Sequence, residues 1–195
     1  MKSMGIEEKV KILAFVGMPG SGKGTCTDYL AATYGWPVVH FGNMVYDEVQ
    51  RRGLDNVKDE VAVREDMRAK EGAAVLAKHA ARRAQEQLEK GAKVVVLDGL
   101  YSWSENKYLA QTFGESLIVI AVAAPKKVRY QRVLDRNDSH RHYTLEQLIT
   151  REIAEIENIE KGGPIAYADY TLVNETNPKD LTDQLEKLLT KLHLT

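Results

Sequence analysis

A glycine-rich stretch near the start of the chain has the composition and spacing needed to surround a phosphate group. Residues 17–25 read Gly-Met-Pro-Gly-Ser-Gly-Lys-Gly-Thr and separate an apolar run from a helical pattern. Glycines let backbone N–H groups curl around a phosphate chain, and the first turn of a helix adds unpaired N–H groups and a positive dipole end. A lysine in such a loop is a mobile point charge for the β- and γ-phosphates. The residues predicted to contact ATP are Gly17, Gly20, Ser21, Gly22, Lys23, Gly24 and Thr25.

An aspartate that follows an apolar run is the second chemical feature. Residues 94–98 read Val-Val-Val-Leu-Asp, a strand pattern ending in Asp98. A carboxylate in this position can orient the water shell of Mg²⁺ beside the transferred phosphate. We therefore predict that Asp98 and Thr25 lie around Mg²⁺, through water. The alternative is that Asp98 caps the following helix.

Arginines are frequent after the fourth apolar run, and kinases need mobile cations that close over the phosphates. Arg132 and Arg136 fall on one helix face, a geometry that could present both to a phosphate. Arg136 and the later Arg151 resemble the short lid and the following helix of kinases of the adenylate kinase type, which implies a lid over 136–144. We predict that Arg132 contacts ATP and that Arg136 and Arg151 join Lys23 and Asp98 as catalytic residues. The alternative for these arginines is a solvated helix surface.

Composition restricts the class of protein. The chain has 195 residues, 44% of them hydrophobic, and 27 basic against 28 acidic residues. This balance argues against a nucleic-acid partner, which would require a basic surface. One cysteine, Cys26, excludes an internal disulfide and favours a reducing compartment. The first apolar run is too short for a membrane span, so we expect a cytoplasmic protein with no membrane partner.

Strand and helix patterns alternate along the chain. Five short apolar runs predict strands buried on both faces of a parallel sheet, at 11–16, 37–41, 93–97, 117–123 and 170–173. Helical patterns cover about 23–34, 43–52, 58–90, 126–135, 145–159 and 178–193. The alternation predicts an α/β fold with three layers, in which ligands bind beyond the carboxyl ends of the strands. We expect a single domain over 1–195, with an acceptor-binding helical region at about 43–90.

The glycine loop, in which Thr25 stands one residue later than in the basic phosphate-loop pattern, resembles that of adenylate kinases and related nucleoside monophosphate kinases. This resemblance implies a P-loop NTPase fold with a five-stranded parallel sheet, a short lid, and a metal held largely by the nucleotide and water. Two segments depart from the adenylate kinase pattern. Asn43 and Tyr46 replace the aspartate and the arginine that follow the second strand, and Ser102 replaces the arginine after Asp98. Four other arginines could substitute for the missing ones, or only keep helices soluble: Arg51, Arg52, Arg64 and Arg68.

A second resemblance extends nearly from end to end. The chain is similar to the archaeal-type group of adenylate-kinase-related P-loop proteins, and residues 168–174 resemble the corresponding part of dephospho-CoA kinase. The segments that support this similarity are 17–24, 41–45, 52–53, 98–100, 136–138, 151–152 and 168–174. The resemblance to dephospho-CoA kinase implies that Asn174 contacts the adenine, although a polar turn residue is an equal alternative.

Two classes of function are consistent with these residues. The first is an ATP-dependent kinase for a small molecule, either a nucleoside monophosphate or a dephospho-CoA-like acceptor. The second is a regulatory ATPase or switch, which the missing acceptor arginines favour slightly. A phosphate acceptor needs no general base, whereas an alcohol acceptor often does, and Asp47 and Asp98 are the candidates for that role. The sequence does not indicate the oligomeric state.

Overall fold

The computed structural model describes residues 10–55, 59–135 and 144–195. A single five-stranded sheet has the order β2-β3-β1-β4-β5, and all neighbouring strands are parallel. Its strands are β1 Lys11–Val16, β2 Val38–His40, β3 Val94–Leu100, β4 Leu117–Ala123 and β5 Tyr170–Val173. The α/β fold and the five-stranded parallel sheet predicted from the sequence are confirmed.

Helices connect the strands. The α-helices of the described residues are α1 Lys23–Tyr34, α2 Phe41–Arg51, α3 Glu60–Glu71, α4 Val75–Glu89, α5 Trp103–Phe113, α6 Lys126–Leu134, α7 Leu145–Glu157, α8 Gly162–Ala166 and α9 Pro178–Lys191. A short 3₁₀ turn over Gly114–Ser116 precedes β4. No helix within the described ranges is long and apolar enough to cross a membrane.

Alternate residues of the central strands point to two separate cores. Ile12, Ala14 and Val16 of β1 pack with α2, α3, α4 and α5, whereas Leu13 and Phe15 pack with α1 and α9. All five side chains are fully buried. The central strands therefore read as continuous apolar runs because both of their faces are covered by helices.

The helix predicted over 58–90 is two helices. Gly72 ends α3 with a φ of 95°, its N–H donates to the carbonyl of Arg68, and α4 begins at Val75. A positive φ is accessible to glycine at little cost, so Gly72 allows the chain to leave the helix. The two helices can then pack against α2 separately.

Other elements also differ from the predictions. β2 is shorter, because α2 begins at Phe41 rather than at residue 43. β3 continues through Asp98 to Leu100, so Asp98 lies within the strand and does not cap a helix. The helices α5 and α8 were not predicted.

A small apolar cluster joins α6 to α7 and consists of Tyr130, Val133 and Leu148. Thr144 caps α7 by accepting a hydrogen bond from the N–H of Gln147. The lid predicted over 136–144 and the catalytic residue Arg136 lie, except for Thr144, outside the described residues. Both stay predictions.

Candidate active site

The loop between β1 and α1 has a backbone that only glycine adopts readily. Gly20 has a φ of 78° and Gly22 a φ of 107°, both in the left-handed region. A Cβ on Gly20 would lie 2.4 Å from the carbonyl oxygen of Arg129, and one on Gly22 would lie 2.2 Å from Nδ2 of Asn174. The loop can therefore pack against Arg129 and Asn174 in this conformation only with glycine at both positions.

The first turn of α1 combines the positive end of the helix dipole with the charge of Lys23. Among the described residues, none caps this helix with a side chain, and its first turn contains no acidic residue. The Nζ atom of Lys23 donates to the carbonyl of Gly17 at 2.7 Å and to that of Met18 at 3.3 Å. This lysine therefore lies over the loop, where it can exchange a carbonyl for a phosphate oxygen. Ser21 is buried, and its Oγ atom makes no hydrogen bond within the described part of the chain.

Asn174, immediately after β5, is hydrogen-bonded to the phosphate loop. Its Nδ2 donates to the carbonyl of Ser21 at 2.8 Å, and its Oδ1 accepts from Arg132 at 3.2 Å. Arg132 also donates to the carbonyls of Asn174 and Thr176. Asn174 is 6% exposed, so little of its side chain is accessible to a ligand, and the adenine contact stays a prediction. Arg132 therefore links α6 to the segment that follows β5.

A buried ion pair supports the loop from the other side. The guanidinium of Arg129 donates to both carboxylate oxygens of Glu152 and to the carbonyl oxygens of Ala124 and Pro19. Both charged side chains are less than a tenth exposed. Since Arg129 lies on α6 and Glu152 on α7, the pair joins these helices to the phosphate loop.

A cleft of about 450 Å³ extends from the phosphate loop across the carboxyl ends of β2 and β3. Its lining on the loop side includes Pro19, Gly20, Gly22, Lys23 and Gly24. Its far side is lined by His40, Gly42, Asn43, Tyr46, Glu60, Asp98, Gly99 and Tyr101. Val133, Leu148, Arg151 and Lys161 complete the wall. Ligands of parallel sheets bind at this edge, so the cleft is the candidate ligand site.

Asp98 and His40 are paired within this cleft. His40 and Asp98 are register partners in β2 and β3, and Nδ1 of His40 donates to Oδ2 of Asp98 at 3.0 Å. The hydrogen bond to this carboxylate raises the pKa of His40 above its ordinary value, although partial burial opposes the shift. The Nε2 atom is not part of the bond to Asp98, and it is the nitrogen of His40 that can contact a ligand.

A second charged group lies on the α7 side of the cleft. Glu155 accepts from Nε of Arg151 at 2.9 Å and from Nζ of Lys161 at 2.5 Å. Lys161 is 1% exposed, and its Nζ lies 4.6 Å from the centroid of the Tyr101 ring. Burial alone would raise the pKa of Glu155, but the charges and hydrogen bonds of Lys161 and Arg151 outweigh it and lower that pKa. Burial lowers the pKa of Lys161, and Glu155 opposes this shift.

The residues predicted as functional fall into two groups. Those that line the cleft are Gly20, Gly22, Lys23, Gly24, Asp98 and Arg151. Those that lie behind the lining or beside it are Gly17, Ser21, Thr25, Arg132 and Asn174. The cleft thus brings together the predicted lysine, aspartate and post-lid arginine. Their catalytic and ligand-binding roles stay predictions.

The arginines considered as replacements for the missing acceptor arginines are all paired with acids. Arg51 and Arg52 both bond Glu48, Arg64 lies 3.5 Å from Glu60, and Arg68 contacts Glu65 and Glu105. None of the four is among the described residues that line the cleft. Asp47, a candidate general base, is 62% exposed and pairs with Arg83. It is also absent from the described lining.

Three residues at the site were not predicted from the sequence. His40 could have been found, because adjacent strands of a parallel sheet bring their ends together and Asp98 was already a candidate. Arg129 lies on a predicted helix but gave no signal of its burial. Lys161 follows no motif, and only the packing of α7 and α8 places it in the cleft.

The parallel sheet, the glycine loop after its first strand and the cleft beside the loop define a P-loop protein of the kinase-like class. The chain belongs to the UPF0200 protein family, and its residues 16–150 match the family model described as an AAA domain. The resemblance to an archaeal-type P-loop group is thereby confirmed at the level of the family. A closer relationship to nucleoside monophosphate kinases or dephospho-CoA kinases is not confirmed.

Two archaeal relatives illustrate the family. The UPF0200 protein of Methanosarcina mazei is 35% identical over 187 residues, which cover 92% of this chain and 96% of the relative. The UPF0200/UPF0201 protein of Archaeoglobus fulgidus is 33% identical over 185 residues, which cover 94% of this chain but 56% of the relative. The chain therefore spans little more than half the length of the Archaeoglobus protein.

Solved structures share the fold at low sequence identity. TT1252 from Thermus thermophilus superposes with a TM-score of 0.65 at 23% identity, covering 94% of this chain and 98% of that chain. Shikimate kinase from Bacteroides thetaiotaomicron gives 0.60 at 12% identity, covering 94% and 99%. A gluconokinase from Sinorhizobium meliloti gives 0.56 at 15% identity, covering 94% and 95%.

Proposed function

We propose that this protein is an ATP-dependent phosphotransferase that moves the γ-phosphoryl group of ATP to a small molecule. The observation that carries the proposal is the two-sided cleft. One side is the glycine loop with Lys23, and the other side is formed by the start of α2 and the end of β3. A kinase needs two substrates in one pocket, with the acceptor in line with the phosphate chain.

The loop fits the phosphates of a nucleotide on steric and electrostatic grounds. Glycine at positions 20 and 22 permits the loop conformation, the first turn of α1 presents backbone N–H groups, and Lys23 supplies a charge at the loop. The backbone carbonyls that now accept from Lys23 are weaker partners than phosphate oxygens. We therefore assign the triphosphate of ATP to residues 17–25.

Mg²⁺ fits the site as an ion bound mainly by phosphates and water. Asp98 is the aspartate that lines the cleft close to the loop, and Thr25 lies in the first turn of α1. When bound, Mg²⁺ would neutralise the charge of the phosphates. Asp98 would orient its water shell, and His40 would fix the position of that carboxylate. Arg151, from the opposite wall, would stabilise the negative charge of the transferred group.

The structural neighbours favour an acceptor with a hydroxyl group. Shikimate kinase and gluconokinase are named for small hydroxylated acids, and both share this fold. Nε2 of His40 belongs to a ring that lines the cleft, so it can contact an acceptor hydroxyl. A nucleoside monophosphate or a dephospho-CoA-like molecule is the other acceptor class, although Tyr46 and Ser102 replace the two arginines of the adenylate kinase pattern and Asn43 replaces its aspartate.

A regulatory ATPase is the second candidate function. It is favoured by the pairing of Arg51, Arg52, Arg64 and Arg68 with acidic residues, and none of these four arginines belongs to the described lining of the cleft. A switch needs the phosphate loop but no acceptor site. It would hydrolyse ATP slowly at a rate that no small molecule changes.

The rate at which the protein forms ADP in the presence of ATP and Mg²⁺ distinguishes the two functions. The protein is mixed with single acceptors: shikimate, gluconate, AMP, CMP, UMP, dephospho-CoA and simple nucleosides. We expect one acceptor to increase ADP release many-fold, and Lys23→Ala to abolish the increase. A slow rate that is the same with every acceptor and without one would contradict the kinase and support the switch.

A further inference from the structure

Lys161 is a buried cation in the wall of the cleft. It is 1% exposed although lysine side chains normally extend to reach solvent. Its Nζ contacts Glu155 and the face of Tyr101, and the residue lines the cleft. Burial of an ammonium group is costly even when it is paired. A wall built from apolar side chains would avoid that cost, so the position of this charge requires an explanation.

Lys161 shares its carboxylate partner with a second cation. Glu155 is bonded by both Arg151 and Lys161, so one carboxylate faces two cations that both line the cleft. The neighbouring Glu152 is already bonded by Arg129. An ammonium group has three donors, and the bond to Glu155 uses one of them. This arrangement can accept a further anion.

Lys161 brings a positive charge to a strand end at which the adenylate kinase pattern has an arginine and this chain has none. Adenylate kinases, as the resemblance implies, have an arginine after the strand that ends near Asp98, and Ser102 occupies that position here. Ser102 is buried and caps α5, so it cannot replace the charge. Lys161 reaches the same strand end from another part of the chain, because its Nζ lies over Tyr101.

The backbone around Lys161 is shaped to hold it there. Glu160 has a φ of 52°, which is uncommon for a residue other than glycine. The N–H of Lys161 donates to the carbonyl of Glu155 at 3.2 Å. A Cβ on Gly163 would lie 3.2 Å from Trp103, so α8 packs closely on the start of α5. These contacts fix the lysine stem beside the acceptor half of the cleft.

We propose that Lys161, together with Arg151, forms an anion-binding subsite for the acceptor, and that the acceptor carries a carboxylate or a phosphate monoester besides the oxygen that receives the phosphoryl group. This inference rests on the proposed kinase function. It assigns the acceptor a charge, which the fold and the glycine loop do not. Lys161 would set specificity by binding that anionic group, and Lys23 would bind the nucleotide.

Pairs of probes that differ in charge test the subsite by calorimetry. The pairs are AMP with adenosine for a phosphate monoester, and gluconate with sorbitol for a carboxylate. Each is titrated into the whole chain with and without a non-hydrolysable ATP analogue. We expect one anionic probe to bind at least tenfold more tightly than its neutral partner. The pair that shows this preference identifies the anionic group.

Substitutions then connect the preference to Lys161. Lys161→Met should remove the preference, leave the binding of the neutral probe unchanged and change nucleotide affinity less than twofold. Lys161→Gln keeps a donor for Glu155, which also retains its bond from Arg151, so this second variant should show the same loss even if Lys161→Met is unstable. Lys179→Met, at an exposed lysine paired with Asp183, is the matched control and should bind like the wild type.

The outcomes separate this inference from the kinase assignment. The inference is wrong if no anionic probe is preferred, or if both Lys161 variants keep the preference. A purely structural lysine would lower the melting temperature in the single variant without changing the ratio between charged and neutral probes. Failure of the wild type to bind the ATP analogue would instead contradict the proposed function, and the titrations without nucleotide would still test the subsite.

Discussion

Asn174 and Ser21 are joined by a hydrogen bond of 2.8 Å from the side-chain amide of the first to the carbonyl of the second. This bond links the residue that follows the last strand to the phosphate loop that follows the first. The amide of Asn174 also occupies the space that a Cβ on Gly22 would need. The loop conformation is therefore held by a contact across 153 positions of the sequence.

Replacement of Asn174 by alanine should weaken both the fold and the loop. The change removes the partner of Ser21 and one partner of Arg132, and loss of a buried hydrogen-bond partner costs about 1–3 kcal/mol. We expect the free energy of unfolding in urea to fall by that amount and the affinity for ADP to fall with it. Glu175→Ala, at the exposed neighbouring position, is the control. Unchanged ADP affinity in Asn174→Ala would show that the loop keeps its conformation without this bond.

Alanine at Gly22 should damage the loop far more than alanine at Gly24. A side chain at Gly22 must adopt a φ near 107° and displace the amide of Asn174, and the conformation alone costs about 1–2 kcal/mol. A Cβ at Gly24 would meet no atom within 4 Å. In urea denaturation, Gly22→Ala should clearly lower the free energy of unfolding. Gly24→Ala should leave that free energy unchanged or raise it by up to about 1 kcal/mol. Equal stability of the two variants would contradict the steric argument.

The ion pair of Arg129 and Glu152 predicts a strongly non-additive mutant cycle. Arg129→Met leaves the Glu152 carboxylate buried without its partner, which should destabilise the protein by about 3–5 kcal/mol. Arg129→Met with Glu152→Leu removes both charges and should recover a large part of that loss. The exposed Arg82→Met serves as the control, since its pair with Glu86 is at the surface and should contribute less than about 1 kcal/mol. Additive losses in the double variant would show that the two side chains do not interact.

The sequence predicted the sheet because its strands are buried on both faces. Continuous runs such as Ile12–Val16 and Leu117–Ala123 have no polar alternation, and this pattern is typical of central parallel strands. The glycine loop was predictable for a similar reason, since few other functions need that spacing of glycines. These are local features, and each is readable within about ten residues.

Features that depend on tertiary contacts were not predictable in the same way. The burial of Lys161 and Arg129 results from the docking of α6, α7 and α8, and nothing in the neighbouring residues distinguishes them from exposed cations. The break at Gly72 was hidden by helical patterns on both sides. The start of α5 does have a local signal in the sequence, which was missed. Ser102 and Glu105 have the spacing of a capping box, and they form one in the structure.

Buried Glu105 predicts a pH dependence of stability. Its side chain is fully buried at the start of α5, and burial raises its pKa, although hydrogen bonds from the N–H groups of Tyr101 and Ser102 and the charge of Arg68 oppose the shift. Between the unfolded and the folded pKa, the folded state keeps the proton that the unfolded chain releases. The free energy of unfolding should therefore fall as pH rises above about 4.5, by at most about 1.4 kcal/mol per pH unit.

Glu105→Gln tests this dependence. The amide oxygen can still accept from both backbone N–H groups, so the capping of α5 is retained, and the falling component of the pH profile should disappear. Urea denaturation from pH 4 to pH 8 measures the profile, and Glu86→Gln controls for the loss of one negative charge. A profile of Glu105→Gln that parallels the wild type would show that this carboxyl does not bind a proton differently in the two states.

His40 offers a test of whether the acceptor has a hydroxyl group. Asparagine at this position can keep a donor near the place of Nδ1, and so a bond to Asp98, but it has no atom in the place of Nε2. If His40 orients an acceptor hydroxyl, His40→Asn should lower acceptor-dependent ADP release by about tenfold or more, because misplacement of a reacting group is costly. Affinity for ADP should change little, since Nδ1 of His40 bonds Asp98 and not the phosphate loop.

The reciprocal variant makes this prediction specific. His40→Gln places an amide near Nε2 and weakens the contact with Asp98, so it should retain more of the acceptor-dependent rate than His40→Asn if the hydroxyl contact matters. If the pairing of His40 with Asp98 matters more, the order reverses and the loss should grow as Mg²⁺ is lowered, because Asp98 would then orient the water shell of the metal less well. Rates measured with both variants across a range of Mg²⁺ concentrations therefore separate contact with the acceptor from support of Asp98. Equal rates for both variants and the wild type would exclude both roles.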